Sequence, residues 1–286
     1  MTFSVRVAAW EASGEYVEIG QRKIFVRNED GAGTPILLLH GYPSSSFDWS
    51  SVLPLLAGRR VLAFDFLGFG LSAKPRDVHY SLMTQADLVE SAGERFTDGR
   101  VTLVAHDMGT SVTTELLARD IDDQLSFDIE KVLLFNGSMV VEKAQLTRGQ
   151  KVLRSRLGPL LARLSSSTTF RQEFRRLFSP DHPLTQAEAA DQWSLIAYNG
   201  GNKILDRLIT YIGERTLYAP RWHGALRDWP GDLRLAWGLL DPVAVVEVLD
   251  AVLALRPHAP VTRWPDLGHY PQLEDPARVA AVISAL

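Results

Sequence analysis

The chain contains no cysteine. That excludes disulfides, a thiol nucleophile and any metal held by thiolates. Long apolar runs are missing too, and no stretch approaches the ~18 consecutive apolar residues of a membrane span. Nor is there an excess of positive charge. Thirty Lys and Arg stand against thirty-four Asp and Glu, giving a formal net charge of −4 and a pI near 6.0, so nucleic acid is not an expected partner. Internal repeats and low-complexity segments are absent. The opening MTFSVRVAAWEASGEY lacks a sustained apolar run and carries Glu11 and Glu15 early, so it does not read as a signal peptide. These absences lead to the expectation of a cytoplasmic monomer or homodimer that needs neither cofactor nor metal.

What is present is enough chain for a large core. With 286 residues, 46% of them hydrophobic and 22% charged, the composition is that of ordinary globular proteins. Short apolar, β-branched runs recur at 16–19, 22–27, 35–39, 60–66, 100–105, 130–136, 233–238 and 261–265. The central runs are almost continuously apolar, as strands covered on both faces are. Between them lie amphipathic stretches. In 82–96, Leu82, Ala86, Val89 and Phe96 share one helical stripe, with Ser81 placed to cap it. Such alternation predicts a mostly parallel, doubly wound sheet with helices on both faces.

The alternation breaks between residues 140 and 228, where helical patterns run without a convincing strand. Thr185 and Glu188 have capping-box spacing ahead of 186–198, and Asn202 is placed to cap 203–214. GP at 158–159 and SPDHP at 179–183 punctuate the segment. The expected organisation is a core over 1–139, a helical cap or lid over 140–228, and a second part of the core over 229–286. The basic residues of the lid (Arg148, Lys151, Arg154, Arg156) read as a solvated face.

Chemistry concentrates at four places. LVAHDMGTS at 103–111 ends an apolar run and opens a helical one. Ala105 and Gly109 flank the turn as small residues do in the G-x-S-x-G elbow of serine hydrolases, but the central position, held out over the end of the sheet, is Asp107. The helix beginning at Met108 aims its positive end at that carboxylate. GLLDPV at 238–243 puts Asp241 in the loop after a strand, and LGHYPQLEDP at 267–276 puts His269 after the last strand. Nucleophile, acid, histidine is the chain order of the α/β-hydrolases. HGYP at 40–43 lets Gly41 turn the backbone so that the Tyr42 amide, with that of Met108, can form an oxyanion hole. Taken singly, Asp107 also suits helix capping, Asp241 a turn, and His269 or His40 a hydrogen-bonded structural role. The order and the joint pattern favour a site. DFLGFGLSAKP at 65–75 lacks Walker spacing and reads as close packing beneath the site, not as a phosphate loop.

These motifs (HGYPSS, DFLGFGLSAKP, VAHDMG, GLLDP and GHYPQLEDP) resemble the α/β-hydrolase superfamily, in its epoxide hydrolase and haloalkane dehalogenase branch. The stretch YNGGNKILDRLITYIGER…RWHGAL is similar to the mesoderm-specific transcript proteins and their bacterial relatives. The resemblance implies an eight-stranded α/β-hydrolase fold with an inserted helical lid. It also implies that Asp107 attacks an electrophilic carbon to form an alkyl ester, which water activated by His269 and Asp241 then hydrolyses. An aspartyl ester is cleavable at its acyl side, whereas the ether a serine would form is not.

Within that branch, epoxide opening is the expected activity, on a small apolar electrophile with water. Dehalogenases of the branch hold halide with a tryptophan after the nucleophile and an asparagine or second tryptophan. The corresponding places here resemble Met108 and Tyr42, which leaves the lid residues Trp193 and Trp222 as substitutes. Asn136 stands where some dehalogenases keep their acid, so Asp241 takes that role. Epoxide hydrolases use two lid tyrosines as acids. Tyr211 matches one and Tyr198 or Tyr218 are candidates for the other, with simple packing as the alternative for each. His40 and His106 complete the list of substrate-binding or acid candidates. A third expectation, of another class, is a non-catalytic small-ligand binding protein, which would bind tightly without turnover. The whole scheme requires three distant groups to converge and the Asp107 oxygens not to be locked in a salt link.

Overall fold

The computed structural model describes residues 2–286. Eight strands form one sheet: β1 (Glu15–Ile19), β2 (Arg22–Glu29), β3 (Ala32–Leu39), β4 (Arg59–Phe64), β5 (Arg100–His106), β6 (Asp128–Phe135), β7 (Asp232–Gly238) and β8 (Val261–Trp264). Their order is β1-β2-β4-β3-β5-β6-β7-β8. Only β2 runs against its neighbours β1 and β4, and every other pairing is parallel. All eight coincide with the apolar runs to within a few residues at their ends.

The continuous hydrophobicity of the inner strands has a direct cause. Successive side chains point to opposite faces, and both faces are covered. Leu37 and Leu39 of β3 join one cluster, together with Leu103 of β5 and Leu134 of β6. Ile36 and Leu38 join the other, with Val104 and Leu133. The described residues form thirteen α-helices, several of which cover these faces. The first is α1 (Val5–Ala12), which sequence periodicity did not reveal. It packs Val7 and Trp10 on the second cluster. On the first face lie α2 (Leu82–Phe96) and α3 (Met108–Ile121). Ser81 caps α2 by accepting from the Thr84 amide, and Leu82, Ala86 and Val89 are fully buried.

Residues 141–228, between β6 and β7, contribute helices and no strand. These are α4 (Arg148–Leu153), α5 (Gly158–Arg163), α6 (Ser167–Phe174), α7 (Gln186–Ala197), α8 (Leu205–Leu208), α9 (Tyr211–Leu217) and α10 (Ala219–Asp228). The core then resumes with α11 (Val246–Leu255), α12 (Pro271–Glu274) and α13 (Pro276–Ser284). Two expected caps differ. Thr185 accepts from the Glu188 amide, but no return bond closes a box, since the Glu188 carboxylate is taken by Arg6 and Gln192. Asn202 caps no helix. It sits inside a 3₁₀ segment, Tyr198–Ile204, and the helix expected over 203–214 is broken into α8 and α9. Just after α7 ends, Asn199 and Gly200 take φ of 49° and 75°, left-handed values that turn the chain before Asn202 is reached.

Among the described residues no helix is long and apolar enough to cross a membrane, and no group of side chains has metal-ligand clustering.

Candidate active site

Asp107, Asp241, His269 and Tyr42 all follow the C-terminal ends of sheet strands, the edge on which open α/β sheets bind ligands. Asp107 is the hinge between β5 and α3. Its backbone is at φ 44°, ψ −108°, a sparsely populated conformation that persists only where surroundings enforce it. The close approach explains the small neighbours. A Cβ on Gly41 would lie 2.6 Å from Asp107 Cβ, and one on Gly109 would lie 2.8 Å from the Leu39 carbonyl oxygen.

Asp107 occupies the N-cap position of α3, yet its side chain makes no capping bond. Instead Oδ2 accepts from the Tyr42 amide at 2.9 Å. That geometry removes the simple capping role. The carboxyl is buried at 2% exposure. Burial pushes its pKa up, but Arg215 first, then His269 and His106, pull harder, and the net result lies below the ordinary carboxylate value. The helix terminus acts in the same direction. Asp107 is therefore an anion at neutral pH.

His269 Nδ1 meets Asp241 Oδ2 at 2.7 Å. Asp241 is fixed by three further bonds: Oδ1 accepts from the amides of Val243 (2.7 Å) and Ala244 (3.0 Å), and Oδ2 accepts from Asn136 Nδ2 at 2.8 Å. The His269 backbone is held from both sides, its amide donating to the Leu177 carbonyl and its carbonyl facing His106 Nε2. Burial works to lower the His269 pKa, while Asp241 and Asp107 raise it, for a net value above the ordinary 6.5. With Asp241 on Nδ1, the lone pair of the neutral ring is on Nε2.

Two residues enter the site in roles that sequence reasoning did not assign. Asn136, at φ 37°, is not the acid but a clamp. Besides Asp241 it bonds the Gly238 amide and carbonyl at 2.9 and 3.1 Å. Replacing Asn136 with Ala removes all three bonds from a buried site. It is expected to lower stability by about 1–3 kcal/mol, read as a lower urea midpoint, and to slow turnover by loosening Asp241.

Arg215, 2% exposed, is the second. Its Nε donates to Ser111 Oγ at 2.8 Å and its Nη2 to the Asp107 carbonyl at 3.2 Å. The same Nη2 stands 3.7 Å from Asp107 Oδ1. That is an ion pair beyond hydrogen-bond length, so it tunes the carboxylate without locking it. Arg215 follows Tyr211 by four residues on α9, and its guanidinium lies 4.7 Å from the Tyr211 ring. This spacing was the one available signal.

The remaining candidates separate clearly. Tyr211 is buried, packs 5.8 Å from the Tyr42 ring, and its hydroxyl has no hydrogen-bond partner. His106 points Nε2 at the His269 carbonyl and leaves Nδ1 unpartnered, and burial pushes its pKa down to about 4. His40 is structural: Nε2 accepts from the Phe66 amide and Nδ1 faces the Gly41 carbonyl. Trp222 cannot serve a substrate, because its indole N–H donates to Glu115 Oε2 at 2.8 Å. Tyr198 packs on Phe3 under Lys74, against the second core cluster, and lines no part of the cavity described next. Tyr218 packs against Trp222 with the two rings tilted. The Gly-rich loop braces the floor, with Asp65 accepting from the Ser46 and Leu71 amides.

A cavity of about 330 Å³ lies between the core and residues 147–205. His269, Tyr42, Pro43 and Val243 form its core side. Leu153, Leu161, Phe170, Phe174, Trp193 and Leu205 form much of the other, and the walls are mostly apolar. Such a chamber suits a small apolar ligand.

The sequence profile of the alpha/beta hydrolase family matches residues 36–282. The chain belongs to that family. LipZ of Mycobacterium tuberculosis (strain ATCC 25618 / H37Rv) is 52% identical over 283 residues, covering 99% of this chain and 98% of the relative. The mesoderm-specific transcript protein of Mus musculus is 36% identical over 280 residues, covering 94% and 84%. The crystal structure of haloalkane dehalogenase DbeA from Bradyrhizobium elkani USDA94 superposes with a TM-score of 0.78 at 21% identity, over 96% of this chain and 98% of that one. That likeness is one of fold.

Proposed function

We propose that this α/β-hydrolase works through a covalent alkyl ester on Asp107 and opens epoxides to diols beneath residues 140–228 acting as a lid. One observation carries the reading: an ionised carboxylate sits at the elbow with Oδ2 on the Tyr42 amide, beside an imidazole oriented by Asp241. Oδ1 is then the attacking atom. It forms a bond to an epoxide carbon as the C–O bond breaks. The electron pair goes to the epoxide oxygen, which takes the Tyr211 phenolic proton.

Hydrolysis follows at the acyl carbon. His269 Nε2 removes a proton from water, the hydroxide adds to Asp107 Cγ, and negative charge develops on Oδ2 against the amides of Tyr42 and Met108. Collapse releases the diol, its oxygen protonated by His269. The carboxyl proton left on Asp107 returns to Tyr211. The sum is epoxide plus water to diol.

Tyr211 is what favours epoxide over halide. Its unpartnered hydroxyl is buried, and its pKa is pushed far above 10 by burial and by Asp107, so it holds a proton to give. Halide release needs an N–H donor instead. Trp222 is spent on Glu115, and only Trp193 of the two lid tryptophans lines the cavity.

A single turnover in ¹⁸O-water tests the scheme. The heavy atom is expected in the Asp107 carboxylate and not in the first diol released. Label in that first product would mean direct attack by water on the substrate carbon and would end the ester route. Running aryl and aliphatic epoxides beside brominated alkanes separates the two leaving groups, and tight binding without turnover would favour a sensor.

A further inference from the structure

One surface is unlike the rest of the molecule. Residues 148–164 carry Arg148, Lys151, Arg154, Arg156 and Arg163 and no acid, in a chain whose net charge is −4. All five cations are exposed. None takes part in an ion pair among the described residues. The same stretch holds four of the ten large hydrophobic side chains that are exposed: Val152, Leu157, Leu160 and Leu164, at 43%, 61%, 56% and 66%. A face that is merely solvated has no use for bare leucines.

The helical geometry gives this patch a direction. On α5, Gly158 and Ala162 face inward and are buried. Leu157, Leu160 and Leu164 fall at spacings of three and four on the outward side. Leu161 and Leu164 line the apolar cavity, as Val152 does from α4. Apolar surface thus runs unbroken from the outside of α5 into the chamber above His269.

We propose that this face docks on an anionic phospholipid surface. Leu157 and Leu160 enter the boundary between headgroups and acyl chains, the five cations meet the headgroups, and the cavity mouth opens on the bilayer to admit apolar substrate from it. Clustered cations without counter-charge, interleaved with exposed leucines, have the composition of an interfacial helix. A nucleic acid would match the charge but not the leucines. This inference does not depend on the chemistry assigned to Asp107.

Co-sedimentation with vesicles tests it. The full chain is expected to pellet with phosphatidylcholine vesicles containing phosphatidylglycerol, far less with phosphatidylcholine alone, and to be released as NaCl rises from ~0.1 to ~0.5 M. An Arg148→Glu/Arg154→Glu/Arg156→Glu variant is expected to lose about a hundredfold or more in partitioning, at roughly fivefold per arginine lost. Leu157→Ser/Leu160→Ser, which keeps every charge, is expected to lose about tenfold. None of these five positions lines the cavity, and unchanged thermal melting would show the variants folded. Native protein that ignores anionic vesicles, or partitioning that both variants leave intact, would overturn the proposal. So would a concentration-dependent dimer abolished by the leucine substitutions with no vesicle binding, since the patch would then be covered by a second copy.

Discussion

A His269→Ala enzyme mixed with an epoxide that the native enzyme opens is expected to gain the full mass of that epoxide, located on the peptide bearing Asp107. On the proposed route, attack by Asp107 does not need the imidazole. Hydrolysis of the ester does, because no other base in the site is both free and strong enough. His106 gives Nε2 to the His269 carbonyl, and its free Nδ1 is a weak base because burial holds the ring's pKa down at about 4, while Asp241 is taken up by its own bonds. Steady-state turnover is expected to fall by about 10²–10⁴, while the first, stoichiometric consumption of substrate survives. Intact-mass spectrometry reads both the adduct and the leaving group. An epoxide adds its whole mass, whereas a bromoalkane adds its mass less HBr. A reactive epoxide consumed by this variant with no mass on Asp107 would rule out the covalent ester.

The native enzyme should show the same division of labour against pH. His269 must be neutral to accept a proton, and its pKa lies above 6.5, so ester hydrolysis is expected to decline as pH falls through a midpoint above that value. Adduct formation has no such limb, because Asp107 stays ionised well below it. In acid, the native enzyme is therefore expected to accumulate ester, visible by rapid quench as a burst that grows as turnover slows.

The sheet was legible in the sequence for a plain physical reason. Strands buried on both faces are almost continuously apolar, and runs such as PILLL and VTLVA announce this without any partner. The elbow was legible because only small residues can flank so sharp a turn. What remained hidden depends on contacts far along the chain. Trp222 looks like a free indole until Glu115, 107 positions earlier, takes its N–H. Arg215 looks like one more basic residue of the helical insertion until folding buries it against Ser111 and Asp107. Asn202 looks like a cap because nothing in its own type reveals that Asn199 and Gly200 have already turned the backbone. Short helices such as α1 escape for another reason: eight residues with two buried side chains make a weak stripe.

Arg215 gives the second large effect, and its consequence is electrostatic. Burial alone would raise the Asp107 pKa, and of the groups that oppose it Arg215 acts most strongly. In Arg215→Met the opposition weakens, the pKa rises, and the proposed nucleophile becomes a neutral acid over a wider range. Measured as the rate of adduct formation in the His269→Ala background, the acid limb is expected to move from below the ordinary carboxylate value up toward neutrality. Stability should follow the same linkage. A depressed carboxylate contributes stability above its unfolded pKa of ~3.9 and loses it as pH falls through the folded value. Leaving Asp107 buried without its cation is expected to destabilise the fold by about 3–5 kcal/mol at neutral pH. That deficit should shrink as acid protonates Asp107 in the variant. Arg215→Lys keeps the charge but cannot bridge Ser111 and the Asp107 carbonyl with one planar fork. It should therefore restore the position of the acid limb while leaving the rate depressed. If Arg215→Met slowed adduct formation equally at every pH, Arg215 would be a packing strut of α9, and the low pKa of Asp107 would have to come from the α3 terminus and His269.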